Sequence, residues 1–157
     1  MRETRILLDN IRSVHNVGSI FRTAECAGVT KIYCIGTTPV PIDRFGRKRK
    51  DFAKVSLGAE DLVGWEYMDD EEAIKTIKQL KKKERFKIVA IEQCKNSIDI
   101  YEFKPGQKTL LILGNEVDGV SRGLLKVADV SIEIPMKGKK ESLNVSVAAG
   151  VVLFSRH

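Results

Sequence analysis

This chain has no long apolar run. Nothing in it approaches the roughly 18 consecutive apolar residues of a membrane-spanning helix, and MRETRILLDN at the start has too short an apolar stretch for a secretory signal. Cysteine is scarce. Cys26, Cys34 and Cys94 are odd in number, widely spaced and without a C-x-x-C pair, so reduced thiols in a cytoplasmic protein are expected. The two histidines, His15 and His157, lack a metal-ligand spacing, and no metal site is expected. No G-x-G-x-x-G follows any predicted strand, which disfavours a dinucleotide-dependent enzyme. Internal repeats and linkers are also missing.

What is present is ordinary for a globular domain. At 157 residues, with 43% hydrophobic and 31% charged residues, the chain suits one domain with a core that needs no staples. A net charge of +6 favours a polyanionic partner without establishing one.

Apolar runs and helical patterns alternate along the chain. Strands are predicted at 6–8, 31–35, 63–68, 87–92, 109–113 and 130–134. Helices are predicted at 17–27, 51–62, from Asp69 onward, at 122–127, and from Val145 to near the end. The helix after Asp69 opens on acids that suit its dipole. Strand alternating with helix means an α/β fold with a mostly parallel sheet flanked by helices. Ligands in such sheets sit beyond the carboxyl ends of the strands, which directs attention to the loops after Leu8, Leu113 and Ile134.

Each of these loops carries unusual polar residues. In NIRSVHNVGSIFR, Asn16 and Gly18 read as a turn at a helix start, with Arg22 a cation inside the helix. The plainer reading makes Asn16 an N-cap and Arg22 a solvated surface residue. In LILGNEVDGVSR, a strand runs into Gly114, Asn115, Glu116 and Gly119. Glycine there lets a ligand approach the backbone; the segment lacks a P-loop lysine, and a simple turn is equally compatible. In PMKGKKESLNVSV, Lys137, Lys139, Lys140, Ser142 and Asn144 precede an apolar helix. A cation-rich loop at a helix start suits an oxygen-rich or anionic ligand; the plainer reading is a capped helix after a solvated loop.

Together NVGSIFRTAECAG, LILGNEVDGVS and IPMKGKKESLNVSVAAG resemble the three motifs of the SpoU/TrmH branch of the SPOUT RNA methyltransferases. The N-x-G-x-x-x-R, G-N-E-x-x-G and S-L-N-V patterns occur in the family's order over nearly the whole chain. The resemblance implies an S-adenosylmethionine-dependent enzyme that methylates a ribose 2′-hydroxyl of tRNA or rRNA. It also implies a C-terminal deep trefoil knot that holds the cofactor and forms a homodimer interface. Carried over by motif, Arg22, Asn16, Glu116, Ser142 and Asn144 are the candidate catalytic residues. Leu113, Gly114, Ile134, Met136, Ser142, Leu143 and Asn144 are the candidate cofactor-binding residues, largely through backbone. Residues 1–157 read as a bare catalytic domain without an added N-terminal RNA-binding domain.

Between Asp43 and Lys54 lie Arg44, Arg47, Lys48, Arg49 and Lys50, interleaved with Phe45 and Phe52. Phosphate neutralisation with base stacking is the reading that suits an RNA enzyme, and Lys139 and Lys140 are assigned to RNA at the rim. The cluster from Lys78 to Lys87 reads as the solvated face of an amphipathic helix. The alternative function is an RNA-binding SPOUT module with weak or lost activity; the intact Arg22, Glu116, Ser142 and Asn144 argue against it.

Overall fold

A computed structural model describes residues 2–155. Seven strands form one sheet: β1 (Glu3–Asp9), β2 (Lys31–Ile35), β3 (Gly64–Met68), β4 (Lys87–Ile91), β5 (Ile98–Asp99), β6 (Lys108–Leu113) and β7 (Val130–Glu133). They are ordered β3-β2-β1-β6-β4-β7-β5, and all the pairings are parallel. The helices are α1 (Val14–Cys26), α2 (Lys50–Ser56), α3 (Asp70–Gln79), α4 (Arg122–Val127) and α5 (Val145–Phe154). The expected α/β class is therefore the observed one.

Side-chain alternation explains why the strands read as continuous apolar runs. Successive residues face opposite sides of a sheet, and a sheet covered on both faces needs both sets apolar. Ile6, Leu8, Leu111 and Leu113 enter one core with Phe21 of α1, Phe52 of α2 and Val152 of α5. Leu7, Leu110 and Ile112 enter the other with Ile77 of α3 and Leu124 of α4. Cys34 lies in the first core, where burial pushes its thiol up to about 12. No described helix is long and apolar enough to cross a membrane, and no metal-binding cluster occurs among the described residues.

Four details differ from expectation. Helix α1 starts at Val14, because Ser13 caps it by accepting the Asn16 N–H at 3.2 Å. Asn16 and Gly18 are thus helical, not a turn, and Asn16 is not the cap. Gly18 is needed for packing instead: a Cβ there would lie 2.9 Å from Val55 Cβ of α2. The helix expected over 51–62 splits at Leu57 and Gly58, both left-handed, before a short 3₁₀ turn, Ala59–Asp61. Helix α3 continues through a π-helical turn, Leu80–Glu84. Strand β5 escapes sequence reading because two residues give no periodic signal.

The functional edge follows from strand order. Strand β6 is inserted between β1 and β4, and β7 between β4 and β5. Since all strands are parallel, the segments after Asp9, Ile91, Leu113 and Glu133 emerge at one edge.

Candidate active site

The turn after β6 is fastened from both sides. Asn115 and Gly119 exchange backbone hydrogen bonds at 3.1 and 2.8 Å. Asn115 Oδ1 accepts from the Val117 and Asp118 N–H groups, and its Nδ2 donates to the Asn10 carbonyl at 2.8 Å. Asp9, buried at the end of β1, accepts the Ser121 N–H at 2.7 Å. Glu92, just after β4, accepts the Val120 N–H at 2.8 Å and that of Gln93 at 3.0 Å. Gly119 has φ +69, and a Cβ on it would strike the Glu92 carboxylate. A Cβ on Gly114 would strike the Gly119 carbonyl and the Val120 nitrogen.

The loop before α5 meets this turn. Gln93 Nε2 donates to the Glu141 carbonyl at 2.8 Å. Asn144 caps α5, its Oδ1 accepting from the Ser146 N–H at 2.9 Å, as a helix N-terminus requires. Its Nδ2 donates to Asn16 Oδ1 at 3.1 Å, and Asn16 Nδ2 donates to Glu116 Oε1 at 2.7 Å. One residue from each motif is therefore joined in a chain, Asn144–Asn16–Glu116. Asn144→Ala should cost about 1 kcal/mol, roughly 2–4 °C in Tm, through the lost cap. Asn144→Ser keeps a capping oxygen without the amide donor, so it should restore the Tm but not the link to Asn16. Thermal melts of the two variants check this.

Between these loops is a cleft of about 350 Å³. Leu113, Gly114, Ile134, Met136, Ser142 and Leu143 line it, as do Asn115, Glu116, Val145 and Ala148. Asn144, expected among the cofactor-binding residues, is not in the lining; it is exposed and caps α5. Sequence reading missed Glu92, Gln93, Glu133 and Glu141, which also line the cleft. The rule that leads to the ends of β1, β6 and β7 finds Glu92 and Gln93 as well once β4 is included.

The electrostatics reverse one expectation. Four glutamates (Glu92, Glu116, Glu133 and Glu141) line the cleft, and among the described residues no lysine or arginine does. Lys137, Lys139 and Lys140 lie outside it. The cleft therefore suits a ligand of net positive charge with an apolar portion, and repels a polyphosphate. S-adenosylmethionine fits this lining: glutamates suit a cationic molecule and apolar side chains suit a ring system, while Gly114 and Gly119 let the turn pack tightly beside the cleft.

Arg22 lies elsewhere. It is six residues beyond Asn16, about 9 Å along the helix and roughly a third of a turn around it. It lines a separate groove with His15, Ser19, Lys54, Leu57 and Phe154, is exposed, and has no ion pair among the described residues. Asn16 therefore does not hold Arg22.

The basic loop is partly self-neutralised. Arg47 pairs with Asp43 at 2.9 Å, Lys48 with Asp61 at 2.7 Å and Arg49 with Asp51 at 2.6 Å. Backbone N–H donation from Arg47 holds the Asp43 carboxyl below its usual range, and the Asp61 hydrogen bond raises the Lys48 ammonium. Arg44, Lys50 and Lys54 have no carboxylate partner among the described residues. Phe45 is 65% exposed, with Arg44 and Arg47 over its ring at 4.8 and 5.0 Å. Phe52 is fully buried against Phe21 and cannot stack on a base.

Known proteins resemble this chain in sequence and in fold. A tRNA (guanosine(18)-2′-O)-methyltransferase of Aquifex aeolicus is 33% identical over 149 residues, covering 95% of this chain and 66% of that one. A 23S rRNA (guanosine-2′-O-)-methyltransferase of Xylella fastidiosa is 34% identical over 149 residues, covering 95% of this chain and 56% of its own length. The crystal structure of an AdoMet-bound rRNA methyltransferase from Sinorhizobium meliloti superposes with a TM-score of 0.82 at 27% identity, over 98% of this chain and 55% of that one. This chain thus spans between about half and two thirds of these relatives. Residues 3–154, nearly all of this chain, match the SpoU rRNA Methylase family, and the chain belongs to that family.

Proposed function

We propose that this chain transfers a methyl group from S-adenosylmethionine to a ribose 2′-hydroxyl of a tRNA or rRNA. The observation that carries the proposal is the cleft at the carboxyl edge of the sheet, lined by glutamates and, among the described residues, by no lysine or arginine; the second and third motifs and the end of β4 wall it, and Asn16 of the first motif is tied to it through Glu116. The relatives named as guanosine 2′-O-methyltransferases support it.

When bound, the cofactor supplies an electrophilic methyl group on a positively charged sulfur. Leu113, Ile134, Met136 and Leu143 would flank its adenosine, while the turn after Gly114 presents backbone groups. Ser142 lies on the same wall. The 2′-hydroxyl oxygen forms the new C–O bond and must lose its proton. A guanidinium is a very poor base, so Arg22 stabilises negative charge on that oxygen, and the proton leaves to a nearby RNA phosphate or to water. Glu116 is held by Asn16 and orients the cleft's rim; it is not a phosphate contact. Arg44, Lys50, Lys139 and Lys140 neutralise phosphates, and Phe45 offers a stacking face.

Arg22 and the cleft on one chain open to different places, which favours a homodimer with composite sites. Leu57 (63% exposed), Phe154 (50%) and Val147 (51%) give that face apolar area to bury. A trefoil knot is supported by two features: the insertion of β6 and β7 between earlier strands, and the Gln93 bond that ties the β4–β5 connection to the loop before α5.

The test is twofold. Calorimetry should show S-adenosylmethionine binding and no NAD binding. RNA from cells lacking the protein should accept a labelled methyl group that maps to a ribose 2′-oxygen. Label on a base, or tight NAD binding, overturns the proposal.

A further inference from the structure

The edge opposite the cleft carries a second cationic surface. Lys82 and Lys83 lie in the π-helical turn after α3, and Arg85, left-handed at φ +60, reverses the chain into β4. Lys87 opens β4, Lys108 opens β6, and Lys104 sits in the loop between β5 and β6. Lys83, Arg85, Lys87 and Lys108 share a groove of about 440 Å³ with Gly106 and Gln107. The helix-face reading of Lys78 to Lys87 does not anticipate this, because Gly106, Gln107 and Lys108, at the start of β6, form the other side of the groove.

Charge pairing separates this surface from the loop at 43–54. The groove's one acid, Glu84, is engaged by Arg5 at 3.0 Å. The neighbouring Glu3 holds Arg5 at 2.8 Å and is 3.8 Å from Lys108. Lys82, Lys83, Arg85 and Lys104 are exposed and have no carboxylate partner among the described residues. Lys87 and Lys108 lie over the rings of Phe103 and Phe86, at 5.0 and 5.6 Å, which steadies them without neutralising them. Carboxylates quench the cations of the expected RNA loop more than those of this groove.

We propose that this groove is a second phosphate-binding surface, which engages the backbone of an RNA strand whose modified nucleotide lies at the opposite edge. The inference rests on the RNA reading above. The five-residue strand β4 separates the two edges by roughly 17 Å, about five of the ~3.4 Å axial steps of a stacked strand. An RNA extending some ten nucleotides from the modified ribose is long enough to reach both.

The test compares Lys82→Gln/Lys83→Gln/Arg85→Gln with a control that loses the same charge away from the groove, Lys75→Gln/Lys78→Gln/Lys126→Gln. Equilibrium binding to tRNA-sized RNA is measured from 50 to 300 mM KCl. The groove variant should bind at least tenfold more weakly at low salt. Its slope of log affinity against log salt should be shallower by about 2, from about 0.7 per lost single-strand contact. The control should stay near wild type. S-adenosylmethionine affinity should be unchanged, and a three-nucleotide oligomer, too short to span both edges, should not distinguish groove variant from wild type. If wild type binds long RNA and the groove variant matches it, this inference falls and the RNA reading stands. Equal losses in groove variant and control overturn it as a mere net-charge effect. Loss confined to anionic lipid vesicles assigns the groove to a membrane surface instead and overturns it. If wild type binds no RNA, both readings fall.

Discussion

Arg22→Ala is expected to lower methyl transfer by a hundredfold to a thousandfold, the usual loss when one charge-stabilising donor is removed. The S-adenosylmethionine dissociation constant should stay within about twofold, since this interaction would be made only as charge develops on the ribose oxygen. Arg22 is exposed, lines a groove separate from the cleft, and forms no ion pair among the described residues, so its removal should leave the fold intact. Arg22→Lys restores the charge without the planar fork and should recover only part of the rate. Calorimetry beside single-turnover kinetics separates the two effects; cofactor binding that falls with turnover would sink this role for Arg22. A mixing experiment tests the proposed composite site of a homodimer. An Arg22→Ala chain and a cleft-blocking Leu143→Arg chain, each inactive alone, should regain activity together. That follows because a mixed dimer holds one complete pairing of arginine and cleft.

The second large effect is expected at Gly114. A Cβ there would enter the van der Waals shells of the Gly119 carbonyl and the Val120 nitrogen, which are backbone atoms without rotamers to change. The opposing strand of the turn cannot retreat. Asn115 pins it to Asn10, Glu92 pins Val120, and Asp9 pins Ser121. Gly114→Ala should therefore cost about 3 kcal/mol, the upper range for overpacking. It should also weaken S-adenosylmethionine binding about a hundredfold by displacing the cleft wall, an effect of about 2.7 kcal/mol. A Cβ on Gly138 would meet nothing within 4 Å, so Gly138→Ala serves as a control with unchanged Tm. Denaturant melts and calorimetry give both readings, and a wild-type Tm for Gly114→Ala would contradict this account of the turn.

The sheet was readable because apolar periodicity records burial on two faces, and β2 and α4 were bounded correctly for that reason. The glycines of LILGNEVDGVS read as room for a ligand against the backbone; at Gly114 and Gly119 the room is taken by the protein itself, by the Gly119–Val120 backbone and by the Glu92 carboxylate. Other features depend on contacts that periodicity does not encode. That Asn16 would meet Glu116, 100 positions away, could come only from the motif resemblance. The acidity of the cleft is hidden because Lys137, Lys139 and Lys140 dominate the local sequence around Glu141, while Glu92, Glu116 and Glu133 come from other segments. The pairing of Lys48 with Asp61 was hidden because the split in the helix at Leu57 and Gly58 was not foreseen.

The insertion of β6 between β1 and β4 also orders events during synthesis. Strand β1 gains its second neighbour only after residues 108–113 have left the ribosome, more than 100 positions later. Until then one side of an apolar strand stays open, and such edges recruit other chains. Long-range parallel pairing is slow as well. The nascent protein thus passes through a long aggregation-prone interval, and its yield in cells should depend on chaperone supply more than the stability of the finished sheet would suggest.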